Sequence, residues 1–238
     1  MKKYISMLIG FCFLIGSMTA FAGSNDAKSI SVVTTIFPVY DWVKEITSDS
    51  DSIELTLLLD KGVDLHNYQP TVEDLVKISS CDLFIYVGGE SDEWVEDALA
   101  EATNKEMKVI NLLEALGDNV KEEELVEGME AEEEAEEEEE GEEGPEYDEH
   151  VWLSLKNAKD LCSVISETLC EIDPDHRDKY SSNVAQYSDQ LSELDQEYSE
   201  ATASGSQKTI LFGDRFPFRY MADDYELSYY AAFETEWE

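Results

Sequence analysis

A chain of 238 residues that sets 56 aspartates and glutamates against 16 lysines and arginines carries a formal net charge of -40 at pH 7. No basic patch is available to neutralise phosphates, which excludes nucleic acid as a partner and disfavours anionic membrane surfaces. The charge is unevenly spread: residues 121–149 hold eighteen acidic side chains and one lysine, a net of -17, leaving -23 for everything else.

The chain opens on a targeting pattern. Lys2 and Lys3 precede an apolar run from Met7 through Phe13 to Met18, followed by Ala20, Phe21 and Ala22. That is the layout of a secretory signal peptide over residues 1–22 with an Ala-x-Ala cleavage site, its apolar core too short for a stable membrane span. The mature chain is expected to begin near Gly23, secreted across the inner membrane as a soluble periplasmic, or more generally extracytoplasmic, protein. Cys12 lies inside the apolar run rather than at the cleavage point, so no lipid anchor is expected. The remaining Cys81, Cys162 and Cys170 are odd in number and cannot close a disulfide framework. Cys162 and Cys170 stand on one predicted helix with about 12 Å of rise between them, beyond disulfide reach. All three read as small buried hydrophobes.

From Ile30 onward, strand-like and helix-like patterns alternate. Residues 30–36 are rich in β-branched side chains, and 37–46 place apolar residues at helical spacing with Pro38 in the first turn. The spacing predicts further strands over 53–59, 82–87 and 107–110, and helices over 71–78 and 94–102. Strands alternating with helices imply an α/β fold built on a parallel sheet covered on both faces. Gly88-Gly89 follows the third strand, but no Gly-x-Gly-x-x-Gly accompanies it and a dinucleotide site is not expected.

In such sheets the loops at the carboxyl ends of strands form the binding crevice. One of them, after the second predicted strand, carries Asp64-Leu65-His66-Asn67-Tyr68-Gln69-Pro70. A second histidine stands in Tyr147-Asp148-Glu149-His150-Val151-Trp152-Leu153. A lone histidine is more often a core or surface residue than a ligand. Two neutral imidazoles on converging loops would supply half of a tetrahedral zinc site.

Between the two histidines, residues 121–146 are low-complexity glutamate broken by Gly128, Gly141 and Gly144-Pro145. Like charges in a block repel and bury no core, so this acidic segment reads as a solvated, disordered loop. After His150, Leu155, Ala158, Cys162, Ile165 and Leu169 mark one helix face. Asp173-Pro174 then restarts a helix as N-cap and first-turn proline. His176, in its first turn, reads as exposed. Tyr180, Val184, Tyr187, Leu191, Leu194, Tyr198 and Ala201 form a narrow apolar seam as far as Ser204-Gly205-Ser206. The helix spans roughly 30 residues and about 45 Å, and its periodicity would equally suit a coiled coil. A last strand is expected over 209–212, followed by Gly213-Asp214-Arg215-Phe216-Pro217-Phe218.

Two of these stretches resemble motifs of the bacterial metal-receptor family that feeds zinc or manganese to ABC importers. Asp64, His66, Tyr68, Pro70 and Thr71 match its Asp-x-His-x-Tyr-x-Pro-Thr pattern, and Glu149, His150, Trp152 and Leu153 match the pattern around its second ligand. The resemblance runs from about residue 30 to the end of the chain. It implies two parallel-sheet α/β lobes joined by one long rigid helix, with the second lobe incomplete at Glu238. The implied division is an N-terminal lobe over 29–172 containing the acidic loop of 121–149, a linking helix over 173–205, and a partial C-terminal lobe over 207–238. It also implies His66 and His150 as metal ligands, with glutamate standing where the family often has a histidine-rich loop. The family's third ligand follows the strand of its second lobe. Counting back from Tyr225-Glu226-Leu227 sets Arg215 in that slot, and arginine cannot coordinate a cation. The neighbouring Asp214 is therefore expected as the third ligand.

The function implied is a monomeric, high-affinity receptor for a divalent cation, zinc first and manganese as the alternative, that delivers its metal to the permease of an ABC importer. Two rival classes use other features. A secreted zinc hydrolase would need a general base and a catalytic run such as His-Glu-x-x-His, which is absent from the sequence. A surface adhesin would hold no stoichiometric metal.

Overall fold

The computed structural model describes residues 29–48, 50–60, 62–123, 146–213 and 215–231. The segment expected to be a signal peptide, most of the glutamate run and Asp214 lie outside the described residues.

Four strands, β1 (Ile30–Thr34), β2 (Ile53–Leu57), β3 (Leu83–Tyr86) and β4 (Lys108–Asn111), form one sheet in the order β2-β1-β3-β4. Every pairing is parallel, with Val32 opposite Leu55 on one side and Leu83 on the other. Val32, Val33, Leu83, Phe84 and Ile85 on the two central strands are fully buried, as expected where a parallel sheet is covered on both faces. The crossover helices are α1 (Phe37–Thr47), α2 (Val72–Ser80) and α3 (Trp94–Ala100). A short α4 (Leu112–Leu116) follows β4 directly, and α5 (Leu155–Ile172) follows the His150 turn. Helices α2 and α3 pack on each other, whereas α1, α4 and α5 form a second group. Right-handed crossovers put α2 and α3 on one face of the sheet and α1 on the other. The expected face of α5 is largely the buried one: Ala158, Cys162, Ile165 and Leu169 are enclosed together with Leu161. Cys81, Cys162 and Cys170 are all free and buried. Burial pushes the thiols of Cys81 and Cys162 up to about 12, so they act as packing groups.

The long helix is α6 (Arg177–Ser204), 28 residues preceded by a 3-10 turn over Pro174–His176. It lies against α1 and α5 of its own chain, which is a different use of the seam from a coiled coil. The seam is closed at Tyr180 and Leu191 and opens toward Leu194 and Tyr198, both exposed. Asp173 stands at the N-cap position of that turn with Pro174 after it, as the sequence predicts, but its side chain makes no capping bond. Its carboxylate is taken by the Tyr180 hydroxyl at 2.6 Å and by His176 Nδ1 at 2.8 Å. His176 is accordingly tethered and only partly exposed.

After α6 come β5 (Thr209–Phe212), α7 (Arg219–Asp224) and β6 (Ser228–Ala231), the two strands pairing in parallel. One face of this pair packs on Phe216 and Ala222, while Leu211 on the other face is 80% exposed. The unit leans on the rest of the chain through Tyr220, which is buried within the main core. Its hydroxyl donates to the Asp148 carbonyl at 2.8 Å and accepts the Lys121 N–H at 3.1 Å. The ends of the acidic segment meet beneath it, where Glu122 and Tyr147 form an antiparallel bridge.

Candidate metal centre

His66 sits on a 3-10 turn, Leu65–Asn67, in the connection between β2 and α2. Both flanks of that turn are fixed. Upstream, Asp64 Oδ1 accepts the His66 N–H at 3.0 Å. Downstream, Thr71 and Asp74 form a capping box at the start of α2, and the Tyr68 hydroxyl donates to Asp74 Oδ2 at 3.1 Å. Tyr68 is buried edge-on against Trp94. The Asp-x-His-x-Tyr-x-Pro-Thr spacing is thus a folding device as well as a chemical one, because the polar residues around His66 anchor the loop that presents it.

His150 precedes a second 3-10 turn, Val151–Leu153, which leads into α5. Asp148 Oδ1 accepts the His150 backbone N–H at 2.8 Å and lies 3.1 Å from His150 Nδ1. The Trp152 ring packs against the imidazole at 5.3 Å between centroids. These two turns bring His66 and His150 together with ring centroids 5.3 Å apart. Their side chains keep only 11% and 10% exposure, and both line a cleft of about 560 Å³ whose walls include Ile36, Leu59 and Trp152.

Behind the imidazoles lies a layer of buried acid. Asp148 and Glu149 are both enclosed. Glu149 Oε1 accepts the Ser91 N–H at 2.9 Å, and the Ser91 hydroxyl stands 2.9 Å from His66 Nδ1. Asp92 Oδ2 accepts the N–H groups of Val87 and Gly88 at 2.9 and 3.0 Å, which shapes the turn that presents Ser91. Burial pushes the Glu149 carboxyl up to about 7 and that of Asp92 to about 6, against opposition from their hydrogen bonds. His66 is shifted the other way: burial, and then the neighbouring His150, hold it below the ordinary imidazole value. The Arg215 side chain adds to that lowering. A site that keeps an imidazole neutral, with the acidic side chains of Asp148 and Glu149 behind the ring nitrogens, suits a cation better than an anion.

The structure therefore brings together two of the three side chains expected from sequence, His66 and His150. Asp214 falls outside the described residues, and its neighbour Arg215 is close enough to act electrostatically on His66. Among the described residues no group of three or more histidine, cysteine or acidic side chains is arranged to hold a metal ion. Ser91, Asp148 and the carboxylate of Glu149 are the neighbours of the two imidazoles that sequence reasoning missed. Asp148 and Glu149 stood next to His150 as a visible acidic pair, but nothing local ties Ser91 to His66. Among the described residues no helix is long and apolar enough to cross a membrane.

Residues 32–238 match the family described as ZnuA, zinc-uptake complex component A, periplasmic. The chain is 33% identical over 227 residues to the zinc-binding lipoprotein AdcA of Streptococcus pneumoniae, covering 95% of this chain and 43% of that protein. It is 32% identical over 232 residues to the high-affinity zinc uptake system protein ZnuA of Bacillus subtilis, covering 95% of this chain and 70% of that protein. The crystal structure of the Zn(II)-bound ZnuA-like domain of Streptococcus pneumoniae AdcA superposes with a TM-score of 0.66 at 29% identity, over 87% of this chain and 67% of that one. The chain thus spans less than half the length of the pneumococcal protein and about two thirds of the others. With the family match running over nearly the whole chain from β1 onward, this protein belongs to the family of periplasmic zinc-uptake component A.

Proposed function

We propose that this chain is an extracytoplasmic receptor that captures zinc and hands it to the permease of an ABC importer, a binding protein and not an enzyme. His66 and His150 are its first two ligands, each through Nε2, and Asp214 is the third. The observation that carries this reading is the 5.3 Å between the two imidazole centroids. Two imidazoles bound to one tetrahedral zinc, with Zn–N bonds of about 2.05 Å, place their ring centroids about 5 Å apart. Both Nδ1 atoms already face protein partners, Ser91 and Asp148, which leaves both Nε2 atoms for the cation. Zinc-binding relatives support zinc over manganese. The proposed division of labour is the N-terminal lobe over 29–172 as the site's rigid half, the 173–205 helix as strut and 207–238 as the partial second lobe, acting as a monomer behind a secretory signal.

Calorimetry and competition against a chromophoric zinc chelator test the reading. The protein is expected to bind one zinc tightly and manganese more weakly, and His66→Ala or His150→Ala is expected to cost at least about 100-fold in zinc affinity, since removing even an outer-shell partner costs 10–100-fold. Affinity unchanged in both variants would overturn the site, and tighter manganese than zinc would change its cargo.

A further inference from the structure

We propose that Glu149 is the positioning residue for His66: its Oε2, 3.8 Å from Nδ1 of His66, favours the tautomer with hydrogen on Nδ1 and so keeps Nε2 as the bare, cation-facing nitrogen. This rests on the reading of His66 as a ligand and deepens it.

Four observations converge on the carboxylate. Glu149 is 1% exposed, and its Oε2 accepts no hydrogen bond from the described residues although it lies 3.8 Å from His66 Nδ1. A buried carboxylate oxygen left without a donor is costly, so it needs a purpose. The other oxygen is fixed, because Oε1 accepts the Ser91 N–H at 2.9 Å. The backbone is also shaped to make room: Gly89 holds φ +82°, and a Cβ at that position would collide with the Glu149 carboxylate. Only glycine takes that conformation readily while leaving the space open. Finally, the partner imidazole is built the same way, with the buried Asp148 carboxylate 3.1 Å from His150 Nδ1. Each histidine then has an acidic residue behind Nδ1, but the two differ in tightness. Asp148 is already in hydrogen-bond contact, whereas Glu149 is within an ångström of it, with the Ser91 hydroxyl holding Nδ1 at 2.9 Å meanwhile.

The two tautomers of a neutral imidazole are close in energy, and the hydrogen bond made by one nitrogen decides which nitrogen is free. A carboxylate can only accept. Placed behind Nδ1, it favours the tautomer with hydrogen on Nδ1 and a lone pair on Nε2. Ser91 alone cannot make that choice, since a hydroxyl serves equally as donor or acceptor. A cation arriving at Nε2 strengthens the Nδ1–H as a donor, and a small rotation of the ring closes the remaining gap to Glu149.

Glu149→Gln separates this role from simple packing. Glutamine keeps the shape and lets Oε1 go on accepting the Ser91 N–H, but it turns an amide donor toward His66 Nδ1 and so drives the hydrogen to Nε2. Nitrogen-15 NMR of the metal-free protein above pH 8 reads the tautomer directly. We expect hydrogen on Nδ1 of His66 in the wild-type protein and on Nε2 in Glu149→Gln, with zinc affinity lowered 10- to 100-fold and thermal stability of the metal-free protein not reduced. Hydrogen on Nε2 in the wild-type protein would overturn the assignment without any variant. So would a Glu149→Gln protein that keeps both the wild-type tautomer and wild-type zinc affinity. If His66→Ala binds zinc as the wild type does, it is the receptor reading that falls, and the wild-type tautomer then decides the role of Glu149 alone.

Discussion

The four-stranded unit and the β5-α7-β6 unit are both parallel α/β pieces, yet they hold themselves together in different ways. The first encloses its central strands on both faces and gathers one continuous apolar core from β1 to α6. The second closes a small cluster around Phe216, Ala222 and Ala231, leaves Leu211 in solvent, and is tied to the first through the buried Tyr220 and its hydroxyl, the Tyr198–Tyr225 stack and the 2.6 Å bond from Ser154 Oγ to Asp224. Both imidazoles of the site come from the first unit. The second contributes Arg215, whose charge reaches His66, and its docking residues touch the carbonyl of Asp148 behind His150. The difference teaches that both histidines of the candidate site stand on the unit with the continuous core, while the smaller unit is closed by a much smaller cluster.

That contrast is broken most directly in the two cores. Phe84 is fully buried in β3, so Phe84→Ala is expected to cost about 3–5 kcal/mol of global stability. Phe216, equally buried but in the small cluster, should cost visibly less in the main unfolding transition, because the unit it supports can open locally first. Urea denaturation of the metal-free variants measures both. Equal losses would show that the two units unfold as one.

The next test addresses the tie between them. Tyr220→Phe removes one hydroxyl that serves both the Asp148 carbonyl and the Lys121 N–H. Leaving these buried groups short of a partner is expected to cost about 1–3 kcal/mol and, because Asp148 backs His150, to weaken zinc binding as well. A stability loss with wild-type zinc affinity would mean that the docking of the second unit and the His150 turn are independent.

Much of the first unit is legible in the sequence because its physics is local. Central strands buried on both faces read as apolar runs, and the helix expected over 71–78 is α2, closed at its start by the Thr71/Asp74 capping box. The long seam announces α6 in the same way. What was not legible depends on tertiary contact. The five-residue α4 is capped by Asn111 at the very end of β4, so no gap in the pattern marks it. The predicted strand over 30–36 ends at Thr34 because the chain turns into α1. Asp173 has the right identity and position for an N-cap, yet Tyr180 and His176 claim its carboxylate. At the site, the two histidine motifs were readable one by one, whereas Ser91 reaches His66 across 25 positions and Glu149 across 58. Such juxtapositions are products of the sheet topology, in which β2 and β3 flank β1 and the turns that follow them meet across its end.

Acid sharpens the electrostatic side of the comparison. His66 is held below the ordinary imidazole value, by burial first and then by His150. The unfolded chain therefore takes up the proton first as pH falls, so the neutral imidazole's contribution to stability is full above about 6.5 and is lost below it. Zinc needs the same neutral ring. Metal release monitored by a fluorescent chelator is expected to have its midpoint below pH 6.5. Release centred above that value would contradict the lowered shift, and retention to pH 4 would point to an all-carboxylate site.

The smallest effect concerns the seam where the two units meet. With His66 and His150 as the proposed ligands on the first unit, the third ligand is expected from the connection after β5, where Asp214 is the metal-competent side chain just past that strand. Asp214→Ala is therefore expected to weaken zinc binding by less than the loss of either histidine, since the smaller unit contributes less preorganisation. Arg215 acts in the opposite sense. Its positive charge opposes both a proton and a metal ion at His66, so Arg215→Ala should leave zinc binding no weaker, raise it a few-fold at low salt, and lose that gain as salt screens the interaction. X-ray absorption of the zinc-loaded protein then counts the nitrogen and oxygen neighbours. Two nitrogens, a carboxylate oxygen that disappears with Asp214→Ala and one water oxygen are expected. Binding indifferent to Asp214 but weakened by Arg215→Ala would show that the site is completed by a group that Arg215 holds in place, and that Asp214 is the wrong ligand.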